Sequence, residues 1–390
     1  MAHQSAGNNA TQTYAGRIGD TGSYNATNNR DLYLKLFSGE MFKGFQHNAI
    51  ARDLVMKRTL KNGKSLQFIY TGHTTAEYHT PGKSILGNSD SSPPVAEKTI
   101  TVDDLLISSA FVYELDETLA HYELRGEISK KIGYALAQKY DRFIFRAITR
   151  GARKADPISK ANFVEPGGTQ IQVGAGSDAD DALNAGKLVT AFYDAAAALD
   201  EKGISSEGRV GVLNPRQYYA LIQDIGTNGL VNRDVQGSSL QSGNGIVEIA
   251  GIKIYKSMNI PFFSKYGTKY APASNPAAAT APATVDPGNT GSFVAEAIEA
   301  AETATADNYG VRNDYGPADG FANSCGLIFQ KEAAGVVEAI GPQVQVTSGD
   351  VSVVYQGDVI LGRLAMGADY LNPAASVELF AGTSTKPAAF

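Results

Sequence analysis

Two strand-like segments separated by a long polar stretch most constrain how this chain can fold. The first carries four basic residues and then the apolar run at residues 66–70, and the second covers residues 98–102. The residues between them are rich in Gly, Ser, Thr and Pro, which predicts two strands joined by a long tip. At about 3.3 Å per residue, an arm of about fifteen residues would reach roughly 50 Å.

A two-stranded ribbon of that length is only marginally stable in water on its own. The rest of the sequence offers no obvious surface to support it, so another copy of the same chain is the simplest candidate. We therefore predict that the ribbon between residues 57 and 100 lies against a neighbouring copy.

Composition sets the broad class of protein. With 390 residues, 43% of them hydrophobic and 19% charged, the chain is long enough for two or three globular domains. A formal net charge of −6 argues against a protein that mainly grips nucleic acid. Apolar runs fall short of the ~20 residues of a membrane span, and the N-terminus lacks a secretion-signal pattern. We expect a protein that is soluble and intracellular when made, with no membrane partner.

The strongest helical pattern extends from about residue 117 to residue 150. It ends in a basic cluster that we expect to be solvated and to offset the helix dipole, with a nucleic-acid contact as the alternative. The cluster consists of Arg146, Arg150, Arg153 and Lys154.

A compact α/β region is predicted from about residue 181 to residue 330. A helix should end at Gly203, a buried strand should follow at residues 209–213, and Asn214 should cap the next helix, with Pro215 in its first turn. The low-complexity stretch 267–306 is interpreted as a surface insertion, and residues 155–180 as a loop.

The strand-like segments near the end of the chain need a sheet, and so does an early one near Phe111, where residues 105–115 have the pattern of a buried strand. We predict that early and late strands pair, so that one domain is built from both ends of the chain. A bend is expected at Met366 and Gly367.

Catalytic and metal-binding patterns are missing from the sequence. The five histidines show no metal-ligand spacing, and neither a phosphate-binding loop nor a nucleophile elbow is present. The single cysteine, Cys325, excludes an internal disulfide and a cysteine-based zinc site, so we expect a small core residue. We predict no catalytic residues, no cofactor and no metal, and hence no enzyme.

Several segments, in the same order along the chain, resemble the major capsid proteins of short-tailed podoviruses of the autographivirus type. The resemblance covers most of residues 31–380, although the 267–306 insertion departs from it. The segments are DLYLKLFSGE (31–40), GKSLQF (63–68), EKTITVDDLL (97–106), HYELR (121–125), AMG (365–367) and NPAA (372–375).

The resemblance implies an α+β fold of the Hong Kong 97 type, with an N-terminal arm, an extended β-hairpin loop, a long spine helix, and peripheral and axial domains. It divides the chain into residues 1–55 for the arm, 56–102 for the extended loop, 103–180 with 335–390 for the peripheral domain, including the spine helix 117–150, and 181–334 for the axial domain with its insertion 267–306.

The implied function is structural. Subunits would assemble as pentamers and hexamers into an icosahedral shell around phage double-stranded DNA, which is non-specific content. The expected partners are further copies, a scaffolding protein and a portal at one vertex, and a decoration protein is left open. The expected location is the virion capsid, assembled in the host bacterial cytoplasm. An encapsulin-type compartment of the same fold is the alternative, and a soluble α/β enzyme with a decorative hairpin is a third interpretation.

Charge suggests one kind of contact between copies. We hypothesise that a basic foot of the ribbon meets an acidic stretch on a neighbour. Each exposed pair would contribute only about 0–1 kcal/mol, but the contact would repeat on every subunit. The basic candidates are Lys57, Arg58, Lys61 and Lys64, and the acidic ones are Asp103, Asp104, Glu114, Asp116 and Glu117.

Overall fold

The computed structural model describes residues 50–72, 78–82, 93, 95–102, 105–113, 124–155, 159–160, 163–176, 179–223, 248–257, 259–260, 321–346 and 356–389. The chain divides into two compact units. One comprises residues 1–48, 103–138 and 339–366, and the other comprises residues 49–102, 139–338 and 367–390. The predicted arm up to residue 49, the 267–306 insertion and all five acidic contact candidates lie outside the described residues.

Four α-helices lie in the described part of the chain. They are α1 Ala51–Leu54, α2 Leu124–Ala152, α3 Ala185–Glu201 and α4 Pro215–Gln223. None of them is long and apolar enough to cross a membrane. The long helix predicted over residues 117–150 is confirmed as α2, which continues two residues further, while residues 114–123 are not described.

The ends of helices α3 and α4 are set by residues close to them in the sequence. Asn184 caps α3 by accepting a hydrogen bond from the Lys187 N–H. At the other end, Gly203 adopts a positive φ of 71° and its N–H bonds to the carbonyl of Asp200, the helix stop predicted from the sequence. The side chain of Asn214 accepts from the Arg216 N–H at the start of α4, so that cap is confirmed too.

Strands make up most of the remaining described structure. They are β1 Met56–Thr59, β2 Ser65–Thr71, β3 Val95–Thr101, β4 Leu106–Tyr113, β5 Ser159–Lys160, β6 Phe163–Val164, β7 Thr169–Gln172, β8 Arg209–Leu213, β9 Glu248–Ile249, β10 Ile252–Lys256, β11 Ser324–Gln330, β12 Ala334–Val346, β13 Gly357–Tyr370 and β14 Ser376–Phe380. The interpretation of residues 155–180 as a loop was wrong, because β7 pairs in parallel with β14.

A six-stranded sheet has the order β7-β14-β11-β8-β10-β9. Strands β8 and β14 are buried along their whole length, which confirms the buried strand predicted at residues 209–213. Helix α3 packs on this sheet through Leu188, Phe192 and Leu199, all fully buried. A side chain at Gly211 would lie 2.7 Å from the Phe192 ring, so glycine allows the helix and β8 to approach closely.

A four-stranded sheet has the order β1-β12-β13-β4. Strand β13 pairs antiparallel with β4, from Gly357 opposite Tyr113 to Leu364 opposite Leu106. The predicted pairing of late strands with the strand near Phe111 is thereby confirmed. One face of this β4–β13 pair packs on α2, where Val112, Ile132, Leu136 and Ile360 form a buried cluster.

Two expectations for these strands were wrong. Strand β4 is buried on one face only, since Ile107 is 52% exposed and Phe111 is also exposed. Gly367 lies inside the continuous strand β13 and makes no bend. Its role is a close approach of two backbones, because a Cβ atom there would lie 2.0 Å from the Thr101 carbonyl oxygen.

The basic end of α2 also differs from expectation. Arg150 and Lys154 are exposed as expected, whereas Arg146 and Arg153 are buried, not solvated. Both guanidinium groups lie over the buried ring of Phe321, at 5.6 and 4.8 Å from its centroid. Burial against an aromatic ring and, for Arg153, a carboxylate replaces the solvent contact that the sequence suggested.

Candidate assembly surfaces

Part of the ribbon predicted between residues 57 and 100 is present as the antiparallel pair β2–β3, whereas residues 56–59 form β1 and pair with β12. The register of β2–β3 runs from Ser65 opposite Thr101 to Thr71 opposite Val95. Because side chains alternate along a strand, the ribbon has two distinct faces. The inner face carries Leu66, Phe68, Tyr70, Ala96, Lys98 and Ile100, and the outer face carries Ser65, Gln67, Ile69, Thr71, Val95, Glu97, Thr99 and Thr101.

The inner face is held by the ribbon's own unit. Ile100 is 2% exposed, and its Cδ1 atom lies 3.2 Å from where a Cβ atom of Gly335 would stand. Burial, together with the nearby Glu165 carboxylate, raises the pKa of Tyr70. The prediction that the chain offers no surface to support the ribbon was therefore wrong for the end of the ribbon that contains Ile100. The alternation of Leu66, Phe68 and Tyr70 is the signal that could have shown a one-sided ribbon.

The outer face is open to solvent in the isolated chain. Ile69 is 75% exposed and Val95 is 57% exposed. Ile69 stands opposite Glu97, and Val95 stands opposite Thr71, so the two apolar side chains are diagonal neighbours on one face. Single exposed apolar residues are ordinary on protein surfaces, but an adjacent pair on the open face of a ribbon is a suitable contact for another molecule.

The four basic candidates all lie near the start of the ribbon and are exposed. Lys57 and Arg58 belong to β1, which pairs in parallel with β12, and Lys61 and Lys64 lie between β1 and β2. The Arg58 guanidinium stands 5.7 Å from the centroid of the Phe68 ring. These side chains are accessible to a partner, whereas the acidic half of the hypothesis falls outside the described residues.

A buried carboxylate joins α1 to β12 and α2. Glu338 accepts two hydrogen bonds from Arg52, at 2.9 and 3.0 Å, and a third from the Tyr140 hydroxyl at 2.7 Å. Burial alone would raise the pKa of Glu338, but the hydrogen bonds from Arg52 and Tyr140 lower it below its usual value. The segment that leads into the ribbon is thus fixed to the helix and the sheet.

A second carboxylate holds the start of the described chain. Asp141 is fully buried and accepts hydrogen bonds from the N–H groups of Ile50 and Ala51, at 2.9 and 3.1 Å. The Asn259 amide donates to it at 3.3 Å. Burial raises the pKa of Asp141 to about 6, although all three hydrogen bonds favour the charged form.

A third buried carboxylate secures the end of the chain. Glu378 on β14 forms an ion pair with Arg153, and both side chains are fully buried. The Gln170 amide donates to both Glu378 and the Pro387 carbonyl, and Arg153 also donates to the Ala388 carbonyl. Sequence reasoning missed all three carboxylates, because each partner is distant along the chain.

The described residues contain no group of three or more His, Cys, Asp or Glu side chains arranged to hold a metal ion. Cys325 is fully buried, as predicted, and burial raises the pKa of its thiol. The three buried carboxylates Glu338, Asp141 and Glu378 hold different parts of the chain together and so stabilise the fold.

The fold defines a class of protein, the capsid subunits of tailed phages. The capsid structure of cyanophage P-SCSP1u is similar to 97% of this chain and 100% of its own, with a TM-score of 0.65 and 28% sequence identity. The mature capsid of bacteriophage PhiM1 shares the fold, with a TM-score of 0.59, 15% identity, and 96% and 99% coverage. The α+β fold of the Hong Kong 97 type is thereby confirmed, and an encapsulin compartment is not favoured.

The sequence also identifies the family. The model of the Gp10A-like family, described as major capsid protein, matches residues 67–308, more than half of the chain. The chain belongs to this family of phage major capsid proteins.

Curated relatives agree with this assignment. The major capsid protein of Escherichia phage T7 is 29% identical over 200 residues, which cover 50% of this chain and 57% of the relative. That of Enterobacteria phage T3 is 33% identical over 110 residues, covering 28% and 31%. The matched stretches thus cover about half of the T7 protein and about a third of the T3 protein.

Proposed function

We propose that this chain assembles with its own copies, as pentamers and hexamers, into an icosahedral shell that encloses phage double-stranded DNA. One observation carries the proposal: the ribbon is fixed to its own unit by one face and presents exposed apolar side chains on the other. A fixed inner face gives the ribbon a defined direction, and an open outer face leaves a surface for a neighbour.

The proposed parts of the subunit are the four implied by the family resemblance. Residues 1–55 act as an arm and residues 56–102 as the extended loop. Residues 103–180 with 335–390 form the peripheral domain, apart from β7 and β14, which pair in one sheet with β11 and β8. Residues 181–334 form the axial domain that meets its copies at the five-fold and six-fold centres, and its sheet includes those two strands. The 267–306 insertion is placed on the surface of the axial domain.

The contacts between copies are proposed to be individually weak. Lys57, Arg58, Lys61 and Lys64 are exposed and can reach an acidic stretch on a neighbour, for which Asp103, Asp104, Glu114, Asp116 and Glu117 remain the candidates. Exposed ion pairs contribute about 0–1 kcal/mol each. Weak contacts let wrongly placed subunits dissociate, while closure of the shell makes the correct set cooperative.

The remaining partners are proposed from the same reasoning. A scaffolding protein guides assembly in the host cytoplasm, a portal occupies one vertex, and the product is the capsid of the virion, with no catalytic activity of its own. With a formal net charge of −6, the shell wall does not hold phosphate tightly, so packaged DNA can leave again. We expect free subunits to show little affinity for duplex DNA at physiological salt, and a submicromolar affinity would count against this.

Shortening the ribbon tests the proposal directly. Since Thr71 and Val95 stand opposite each other, residues 72–94 can be replaced by Asn-Gly, which closes a two-residue hairpin. The shortened chain keeps the whole inner face, so we expect a folded, soluble subunit. It loses the tip by which we propose that the ribbon reaches its neighbour, so no shells should form in electron micrographs. Circular dichroism and thermal melting check the fold. Normal particles from the shortened chain would contradict the proposed role of the ribbon.

A further inference from the structure

The inner face of the ribbon contacts its own unit through one charged side chain, in addition to its uncharged ones. Among the six residues of the inner face, Lys98 alone carries a charge. Its Nζ atom lies 2.8 Å from Asp369 Oδ2 and 3.8 Å from the centroid of the Tyr370 ring. The ammonium group therefore has both a carboxylate and an aromatic face as partners, a combination stronger than either contact alone.

The two partners of Lys98, Asp369 and Tyr370, are themselves held by contacts with helix α2. Tyr370 packs against the backbone of α2, because a Cβ atom at Gly151 would lie 2.9 Å from the Tyr370 Cβ atom. The Arg150 guanidinium stands 6.0 Å from the centroid of the same ring and 3.9 Å from Asp369 Oδ1. We call Lys98, Arg150, Asp369 and Tyr370 the Lys98 clamp. It connects the ribbon to the end of β13 and to the long helix.

The position of the clamp along β3 decides what it does. Ile100 is the nearest buried side chain of the ribbon, and it fixes one point of β3 at the base. Lys98 lies two residues further along, roughly 7 Å away at the usual rise of a strand. Apolar contacts such as that of Ile100 tolerate small changes of angle, whereas the charge-assisted hydrogen bond from Lys98 to Asp369 has a preferred geometry and so sets the direction of the strand more closely. A small shift at Lys98 becomes a larger shift for every residue beyond it.

We propose that Lys98 is a positioning residue for assembly, which sets the angle at which the ribbon leaves the subunit through its contact with Asp369 and Tyr370. This inference rests on the proposed shell function. Subunits with a variable ribbon angle meet their neighbours at variable angles, so loss of the clamp should broaden the distribution of shell diameters rather than abolish folding.

Lys98→Met tests the proposal, because methionine keeps an apolar stem on the Tyr370 ring but removes the charge. We expect at least a tenfold faster amide exchange in β2 and β3, an unchanged melting temperature of the rest of the subunit, and shells of mixed diameter. Lys98→Arg retains both contacts and should restore slow exchange and uniform shells. Glu97→Gln, on the outer face of the same strand, is the matched control for exchange and should leave it unchanged.

The exchange measurement needs only free subunits, so it tests the clamp even if shells never form. Unchanged exchange in Lys98→Met would overturn the proposal. So would faster exchange combined with shells of normal, uniform diameter. If the wild-type chain itself formed no shells while exchange responded as expected, the proposed function would fail and the attachment of the ribbon by Lys98 would stand.

Discussion

Arg153 and Glu378 face each other as a fully buried ion pair, with Nη2 2.6 Å from Oε1 and Nε 2.8 Å from Oε2. The two residues are 225 positions apart in the sequence. Two parallel hydrogen bonds of this kind fix the relative position of the end of α2 and the strand β14, which lies next to β11 in the six-stranded sheet.

Removing one member of this pair should be costly. Arg153→Met leaves the Glu378 carboxylate buried without its cation, and we expect the free energy of unfolding to fall by about 3–5 kcal/mol. Urea denaturation measures the change. Lys154→Met removes a neighbouring but exposed cation and should change stability by less than about 0.5 kcal/mol. Equal effects of the two substitutions would mean that the buried pair adds nothing special to stability.

The buried Asp141 carboxyl should make stability depend on pH. Its pKa is about 6 in the folded chain and 3.8 when unperturbed, so the folded state binds the proton more tightly. The stabilisation is full below pH 4 and is lost as the pH rises through 6. Between pH 7 and pH 5 the gain is about 1 kcal/mol of unfolding free energy.

Asp141→Asn isolates this contribution, because other titrating groups remain in both proteins. The variant has one acceptor oxygen fewer for the N–H groups of Ile50 and Ala51, so it should be less stable at both pH values. The free energy of unfolding of the wild-type protein should exceed that of the variant by about 1 kcal/mol more at pH 5 than at pH 7. The pKa of Glu338 is lowered from its usual value of 4.5, so its titration changes stability mainly below that pH and adds little between pH 5 and pH 7. A constant difference across this pH range would refute the titration of Asp141.

Gly367 should tolerate no side chain. In Gly367→Ala the new Cβ atom would lie 2.0 Å from the Thr101 carbonyl oxygen, a backbone atom that cannot rotate away. We expect a loss of at least about 1–3 kcal/mol from the forced shift of β3 or β13. Gly341 is also in a strand and has no atom within 4 Å of an added Cβ, so Gly341→Ala should be neutral or slightly stabilising. Thermal melting of the two variants gives the comparison, and a neutral Gly367→Ala would contradict the close approach.

The exposed apolar pair on the outer face of the ribbon should affect assembly alone. Ile69→Lys places a charge where we propose a neighbour to bind, and the new cation stands opposite Glu97, so the subunit should fold normally but assemble at least tenfold more slowly by light scattering. Gln67→Lys adds the same charge on the same face without removing an apolar group. If both substitutions slow assembly equally, repulsion explains the effect and the apolar contact is not needed.

Local chemistry predicted several elements correctly. The stop at Gly203 and the cap at Asn214 depend on residues within a few positions of the helix ends, and both are where the sequence places them. The pairing of β4 with β13 could also be predicted, since an apolar strand requires a partner and the chain offered its late strands. The resemblance to phage capsid proteins supplied the overall fold.

Long-range contacts could not be predicted. The basic end of α2 has the composition of a solvated helix end, and nothing near Arg153 in the sequence indicates Glu378. The inner face of the ribbon is a similar case, because the partners of Lys98 lie in β13. The candidate contact between copies stays a prediction, since its acidic residues lie outside the described part of the chain.

Both large sheets interleave strands from distant parts of the chain, as in the parallel pairs β1–β12 and β7–β14. During synthesis, the four-stranded sheet cannot be completed before β13 ends at Tyr370, and the six-stranded sheet cannot be completed before β14 ends at Phe380. Until then the strands already made lack their partners, and such non-local pairing is slow. Copies translated side by side from one message would expose these unpaired strands to each other, so aggregation of unfinished chains should compete with folding.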